Sequence, residues 1–318
     1  MSKQLRILVL GGQGFIGSHL VEALLNNGSQ VRSFDRPGVI SINMDIRLHP
    51  NFELIEGDFL NDAEIHNALV GCDVCYHLIS TTNPKSSNDN PVFDVESNIL
   101  GTVRLLSYAV KVGIKKVIFV SSGGTVYGVP SQIPISENHS TDPICSYGIS
   151  KLAIEKYLDL FHKLYGLDYS VLRVANPYGG RQQTNKGQGA IAVFLEKALS
   201  NEAIEIWGDG SVIRDYIYID DVVSALLAAA KYVGEEHVFN IGGGSGLSLN
   251  NILDAIDLVS ECPTIRRYTT GRVCDVSANV LSIERAKQEL GWSPSVSFEV
   301  GLKRFCKSLK QSLVCLKE

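Results

Sequence analysis

The stretch LRILVLGGQGFIGSHLVEALL near the amino terminus limits the possible folds more than any other part of the chain. Gly11, Gly14 and Gly17 directly follow a short apolar run typical of a buried strand, and they open an amphipathic helical pattern. Glycines at this spacing let the backbone turn tightly between a strand and a helix and let a ligand approach the main chain closely. The stretch therefore predicts the first strand and helix of a parallel α/β sheet.

The rest of the chain supports this interpretation. Short apolar runs, among them QVRSF, FELIEG, DVCYHLI, KKVIFVSS and YSVLRV, alternate with helical patterns near 61–69, 93–112 and 147–165. Alternation of this kind predicts a doubly wound α/β fold with a parallel sheet. Glycine-rich, polar segments begin after residue 175, so we expect a dinucleotide-binding domain over 1–175, with a return segment near 213–242, and a smaller substrate-binding lobe over 176–318.

The glycine turn also predicts a ligand. A pyrophosphate placed there would meet the positive end of the helix and its free N–H groups. A glycine-rich turn without a ligand is the alternative, and the strand and helix on either side favour the ligand. The residues expected to hold the pyrophosphate are Gly11, Gly14, Phe15, Ile16 and Gly17.

Two acidic residues extend the predicted cofactor site. Asp35 ends the second strand, eighteen residues after Gly17, at the spacing at which a carboxylate accepts hydrogen bonds from an adenosine ribose. A carboxylate would repel a 2′-phosphate, so Asp35 favours NAD over NADP, although Arg36 could partly offset the repulsion. Asp58 follows the third strand, where it could bind the adenine amine or cap the next helix.

The segment CSYGISKLAIEKYL sets Tyr147 and Lys151 one helical turn apart, so both side chains can point into one pocket. Lowering a tyrosine pKa from near 10 to about 7 requires ~4 kcal/mol of phenolate stabilisation. An ammonium about 5 Å away supplies on the order of 3 kcal/mol at an effective dielectric of about 20. The pair therefore predicts a tyrosine base, with a solvated surface pair as the alternative.

Composition excludes several other kinds of function. The net charge of -5, with basic residues spread along the chain, favours neither a nucleic acid nor a membrane surface as partner, and no apolar run approaches a membrane span. Seven scattered cysteines fit a reducing compartment, so we expect a cytoplasmic protein. Cys72 and Cys75 form a C-x-x-C within a buried strand, and His77 is expected to pack in the core. We therefore expect no metal site.

Taken together, these motifs resemble a known family. GGQGFIG, EGDFLN, HLIS, ESNILGT, SSGGTVYG, YGISK, RVANPYG, RDYIYIDD and AKQELGW follow one another in the order found in extended short-chain dehydrogenases/reductases. Within that group the chain is similar to the NAD-dependent nucleotide-sugar epimerase/dehydratase family. The resemblance covers nearly the whole chain and implies a Rossmann-type sheet, bound NAD and a homodimer built from the helices near 93–112 and 147–165.

The resemblance also implies individual roles. Tyr147 would be the proton acceptor, and Lys151 would hold the nicotinamide ribose. Phe59, Leu78 and Asn98 would line the cofactor. The residues implied around the nucleotide sugar are Asn176, Arg214, Arg272, Asp275 and Asn279. The side chain at 279 is smaller than a tyrosine, which would leave space for an N-acetyl group on the sugar.

One position departs from the family pattern. Family members commonly carry Ser or Thr three residues before the valine of V-Y-G, where this chain has Gly123. Ser122 is our first candidate for the replacement hydroxyl and Thr125 the second. In a third interpretation Ser121, Ser122 and Thr125 only satisfy backbone groups at a strand end.

The same segment favours one reaction over others. Related dehydratases carry an Asp–Glu pair where this chain has Gly124 and Thr125, so elimination chemistry is disfavoured. The resemblance then predicts 4-epimerisation of a UDP-sugar, of the N-acetylglucosamine or the glucose type, by transient oxidation at C4. Alternatives are a nucleotide-sugar dehydratase or net oxidoreductase, and a non-catalytic NAD-binding regulator on the same fold.

Overall fold

In a computed structural model, which describes residues 5–39, 44–184, 189–270 and 276–315, the apolar runs form strands and the amphipathic runs form helices. The strands are β1 Arg6–Leu10, β2 Gln30–Asp35, β3 Phe52–Glu56, β4 Val74–His77, β5 Lys116–Ser122, β6 Asp168–Val174, β7 Asn176–Tyr178, β8 Ala203–Trp207, β9 Ile213–Tyr218, β10 Val238–Ile241, β11 Gly246–Ser248, β12 Ile265–Thr269 and β13 Ala278–Asn279. The helices are α1 Phe15–Asn26, α2 Met44–Arg47, α3 Asp62–Leu69, α4 Pro84–Asp89, α5 Pro91–Asp94, α6 Gly101–Val112, α7 Ser146–Tyr165, α8 Ala190–Leu199, α9 Ile219–Lys231, α10 Leu249–Ser260, α11 Glu284–Leu290 and α12 Phe298–Cys315.

The main sheet has seven parallel strands in the order β10-β6-β5-β4-β1-β2-β3. The chain runs from β1 outward to β3 and then returns to the other side of β1 to form β4. This arrangement confirms the predicted doubly wound α/β fold. In such sheets ligands bind beyond the carboxyl ends of the strands where the strand order reverses, which here is between β1 and β4.

Apolar side chains cover both faces of this sheet because its strands are buried on both sides. In β1, Ile7 and Val9 pack into one hydrophobic cluster with helices α1 and α9. Leu8 and Leu10 point to the other face and pack with α3, α6 and α7. Helix α7, which carries the predicted Tyr147–Lys151 pair, is therefore fixed on a buried sheet.

The later part of the chain adds smaller sheets. Strands β11, β9 and β13 pair in that order with β7 attached to β9, and β12 pairs with β8. Strand β10 returns to the main sheet beside β6. The division of the chain near residue 175 remains a prediction. Among the residues described, no helix is both long and apolar enough to cross a membrane.

The helix predicted over 93–112 is not regular. It comprises the end of α5, a π-helical turn over Val95–Leu100, and α6. A π-helical turn inserts an extra residue into a helical ladder and often occurs at functional sites. The apolar periodicity of the sequence continues through this region, so it did not reveal the irregularity.

Candidate active site

The three glycines form a tight turn between β1 and α1. Gly11 has a φ of 81°, a backbone conformation that glycine adopts readily. A Cβ on Gly17 would lie 2.1 Å from the Gly11 carbonyl oxygen, so only glycine lets the first turn of α1 pack on this loop. The Gly14 amide donates to the same carbonyl at 3.0 Å.

The start of α1 suits an anionic ligand. Gly14 is its N-cap and provides no side-chain cap, and the first turn contains no acidic residue. The N–H groups around Phe15 and Ile16 thus have no competing carboxylate from the helix itself, and the helix dipole favours a negative charge there. The residues present therefore fit the pyrophosphate of a dinucleotide.

Asp35 connects the second strand to this turn. Its carboxylate accepts hydrogen bonds from the Gln13 amide at 2.9 Å and from the Arg36 amide at 3.0 Å. The capping role considered for Asp58 is wrong, because Asn61 caps α3 by accepting from the amides of its first turn. Asp58 instead accepts from the Leu60 amide, and the proposed contact with adenine remains a prediction.

The end of β4 lies against the same turn. A Cβ on Gly11 would lie 3.3 Å from the Ile79 nitrogen and 3.4 Å from the Leu78 carbonyl carbon. Phe59 is buried, and its ring centroid lies 5.3 Å from that of His77. The switch point between β1 and β4 thus brings together Leu78 and the glycine turn and places Phe59 close by.

Tyr147 and Lys151 share one face of α7. The Lys151 Nζ lies 5.5 Å from the centroid of the Tyr147 ring and 4.7 Å from that of Phe119 on β5. The same ammonium donates to the Val120 carbonyl at 2.9 Å. Lys151 is buried and Tyr147 is half-buried. The pair therefore lies on one side of α7, as its spacing predicted, and contacts the carboxyl-terminal half of β5.

Burial opposes acidification of the phenol. Burial raises the pKa of Tyr147 to about 12, and a hydrogen bond with Ser80 opposes that shift. Burial also lowers the pKa of Lys151 to about 8, against the carboxylates of Glu155 and Asp94. Desolvation thus disfavours the charged form of each side chain.

The hydroxyls of Ser121, Ser122 and Thr125, all near Gly123, have different environments. Ser121 lies on the α7 face of β5 and donates to Glu155 at 2.5 Å, so its hydroxyl is committed to the core. Ser122 follows it and, by strand alternation, faces the opposite side of the sheet. Thr125 lies against the start of α7, where its carbonyl would be 2.8 Å from a Cβ on Gly148. Its hydroxyl is buried without a hydrogen-bond partner.

The second half of the chain contributes Asn279. This residue is 2% exposed, and its amide donates to the Gly123 carbonyl at 3.2 Å. Its Oδ1 atom is buried without a partner, like the hydroxyl of Thr125. Both atoms belong to residues near Gly123, one by sequence and the other through its hydrogen bond, and buried polar groups are normally paired.

The other predicted substrate residues are only partly described. The Asn176 amide donates to the Asp215 carbonyl at 2.8 Å. The Arg214 guanidinium donates to the Val276 carbonyl at 2.7 Å, just before β13. Arg272 and Asp275 lie outside the described residues.

Sequence reasoning missed Ser80 and Asp94. Ser80, in the loop after β4, lies close to the Tyr147 phenol and opposes the rise of its pKa. Asp94 is fully buried and accepts from the Asn98 amide at 3.0 Å. Asn98, expected to line the cofactor, therefore uses its side chain inside the protein. The HLISTT segment was the available signal for Ser80, but no pattern pointed to Asp94.

The arrangement sets a tyrosine and a lysine near a glycine turn that fits a dinucleotide. A tyrosine in that position suits oxidation or reduction at a hydroxyl-bearing carbon, so fold and site define a dinucleotide-dependent α/β enzyme. In the part of the chain that the structure describes, no three His, Cys, Asp or Glu side chains group as metal ligands.

Comparison with known proteins identifies the family to which the chain belongs within this class. The model of the NAD dependent epimerase/dehydratase family matches residues 7–242. The chain belongs to this family, and its cofactor is NAD.

Three relatives illustrate the range of activities. A UDP-glucose 4-epimerase from Thermotoga maritima, solved with UDP-glucose, is 37% identical with a TM-score of 0.91, over 97% of this chain and 100% of that chain. A UDP-N-acetylglucosamine 4-epimerase from Methanobrevibacter ruminantium is 30% identical with a TM-score of 0.90, over 98% and 99%. A dTDP-4-dehydro-6-deoxyglucose reductase from Escherichia coli is 34% identical, over 96% of this chain and 97% of the relative.

Proposed function

We propose that the protein is a UDP-sugar 4-epimerase that oxidises and re-reduces C4 of its substrate. The observation that carries this proposal is the shared position of Tyr147 and Lys151 on one face of α7, beside the glycine turn that fits a dinucleotide. Two 4-epimerases with closely similar folds support it, and so does the match to the family.

The residues of the chain would divide the work as follows. NAD, when bound, supplies a positively charged ring that accepts the hydride from C4 and later returns it. Tyr147 removes the proton from the C4 hydroxyl during oxidation and gives it back during reduction. Lys151 holds the ribose and favours the phenolate electrostatically. The keto-sugar must present its other face before the hydride returns, which inverts C4. Because the hydride that was removed is returned, the cycle has no net redox change.

Thr125 is the hydroxyl that we propose contacts the reacting oxygen in place of the family Ser or Thr. Its buried, unpartnered Oγ1 and its position against the first turn of α7 support this choice over Ser122. Gly124 and Thr125 also provide no carboxylates, which argues against an elimination step.

For the rest of the substrate we propose contacts from the second half of the chain. Arginine forks suit diphosphate oxygens, which fits Arg214 and Arg272, and Asp275 would bind the nucleoside ribose. Asn176 would contact the sugar. The free Oδ1 of Asn279 supports recognition of an N–H donor, such as that of an N-acetyl group on C2.

We also propose a homodimer and a cytoplasmic location. Helix α7 exposes an apolar stripe on the face away from Tyr147, which consists of Ile149, Tyr157, Leu160 and Leu164. A second copy of the chain would cover this stripe. Cys72, Cys75, Cys145, Cys262 and Cys306 are free thiols, which fits a reducing compartment.

The direct test is to incubate the purified protein with UDP-N-acetylglucosamine or UDP-glucose and to separate the products. We expect the C4 epimer of at least one substrate, without net accumulation of NADH. Stoichiometric NADH would favour a net oxidoreductase, and a 4-keto-6-deoxy product would favour a dehydratase. Absence of any epimer from both substrates would count against the proposal.

The role of Tyr147 is tested by Tyr147→Phe. Removing the phenol hydroxyl should lower kcat by about 10²–10⁴-fold, the usual contribution of an acid–base group, while NAD still binds. Tyr165→Phe, an exposed tyrosine on the same helix, is the matched control and should leave kcat unchanged. Full activity of Tyr147→Phe would refute the assignment, and a regulator without catalysis would show no turnover in any variant.

A further inference from the structure

Asp94 is a fully buried carboxylate at the junction of α5 and the π-helical turn. Its hydrogen-bond donors are three hydroxyls and one amide that belong to three segments of the chain. An ionised carboxylate in the core normally requires such compensation, because removing it from water is costly. The arrangement of these donors points to a role beyond packing.

One oxygen of Asp94 holds the start of α7. Its Oδ2 atom accepts from the Ser146 hydroxyl at 2.8 Å and from the Ser150 hydroxyl at 2.6 Å. Ser146 and Ser150 immediately precede Tyr147 and Lys151, respectively. Because the two serines are one helical turn apart, a single acceptor fixes both the rotation and the height of this turn.

The other oxygen holds the loop that faces the phenol. Its Oδ1 atom accepts from the Thr82 hydroxyl and from the Asn98 amide. Thr82 in turn accepts at its carbonyl from the Ser80 hydroxyl at 3.0 Å, and Ser80 is close enough to the Tyr147 phenol to influence it. The carboxylate thus joins both sides of the Tyr147–Ser80 contact.

We propose that Asp94 is a positioning residue that sets the Tyr147 phenol against Ser80 and the reacting carbon. This inference rests on the proposed catalytic role of Tyr147. The loss of Asp94 would slow the chemical step, because displacing a catalytic group by about 1 Å can cost 10²-fold in rate.

The body of α7 has other anchors, so the fold should survive the loss of Asp94. Glu155 pairs with Arg173 at 2.6 Å, and Ile154 and Leu158 are buried in the core. The loss of Asp94 should therefore shift only the first turn of α7.

The first test is Asp94→Asn. This variant keeps the shape of the side chain but replaces one of the two acceptor oxygens by an NH2 group, which cannot accept hydrogen bonds from the donors that the carboxylate served. We expect kcat to fall by about 10–100-fold, while the KM for the UDP-sugar and the Kd for NAD change by less than about threefold. Asp159→Asn removes a carboxylate from the exposed side of the same helix and should leave kcat unchanged. A general loss of structure would instead raise KM and Kd together.

The second test is a double-mutant cycle. If Asp94 acts through the serines, the combination of Asp94→Asn with Ser150→Ala should lose less kcat than the product of the two single losses. If Asp94→Asn does not fold, the Ser146→Ala and Ser150→Ala pair decides the matter, and it should show the same fall in kcat. Unchanged kcat in the serine pair would overturn the inference, even if Tyr147→Phe is inactive. Activity in Tyr147→Phe would instead overturn the proposed function.

Discussion

Leu281 occupies the space in which a side chain at Gly123 would begin. A Cβ there would lie 2.5 Å from Leu281 Cδ1 and 3.0 Å from the Arg173 carbonyl oxygen. The sequence identified the missing hydroxyl by comparison with a pattern, but it could not identify this contact, since Leu281 is distant in the chain. For the same reason it ranked Ser122 before Thr125, although the surroundings of both residues depend on distant parts of the chain.

His77 should make the stability of the protein sensitive to acid. Its Nε2 lies 2.8 Å from the Thr102 hydroxyl, and burial lowers its pKa to about 3. Below pH 6.5 the unfolded chain binds a proton at His77, whereas the folded chain leaves this imidazole neutral. The stability that this residue contributes is therefore present above pH 6.5 and is lost as the pH falls toward 3.

Urea unfolding at pH 7 and pH 5 of the wild type and of His77→Gln tests this linkage. Acidification should cost the wild type about 2 kcal/mol more than the variant, which cannot take up the proton. Asp215, whose pKa burial raises to about 6, acts in the opposite direction but contributes equally to both proteins. An equal loss in the two proteins would contradict the assignment.

At the scale of elements, local patterns predicted most of what the structure contains. Apolar runs marked the strands of the main sheet up to β6, and the glycine spacing marked the turn before α1, because burial and backbone freedom act within a few residues. The irregular helix near 93–112 and the residue that caps α3 were harder to predict from local patterns. The π-helical turn begins directly after Asp94, which is bonded to the distant Ser146 and Ser150, and Asn61 rather than Asp58 has the geometry to cap.

The glycine turn gives a prediction of its own. In Gly17→Ala the new methyl would overlap the Gly11 carbonyl and lie 2.7 Å from the Gly12 Cα, so the backbone of the phosphate turn must move. We expect the Kd for NAD, measured by calorimetry, to rise at least about tenfold, or 1.4 kcal/mol. In Gly28→Ala, at the far end of α1, the methyl meets open space and costs stability only through its positive φ. Equal affinity in the two variants would contradict the proposed phosphate contact.

For the whole molecule, the two proposals assign a different role to each face of α7. One face carries Tyr147 and Lys151, and further along it Glu155 pairs with Arg173 in the core. The opposite face presents the apolar stripe that includes Leu160 and Leu164, of which Leu164 is 60% exposed. A second copy that packs on this stripe in two-fold symmetry would bury apolar surface and also stiffen the helix that positions the phenol. Assembly and catalysis would then depend on the same element.

This dependence can be tested with Leu160→Asp. A charge in the centre of a self-complementary apolar interface is repeated on both subunits and must be desolvated twice, so the dimer should dissociate. Light scattering should then report the mass of one chain, 34.7 kDa, instead of two. Leu258→Asp, a leucine that is 82% exposed on α10, is the matched control and should keep the wild-type mass. If Leu160→Asp also keeps the wild-type mass while the wild type is a dimer, the two copies meet through another surface, and the stripe on α7 has a different partner.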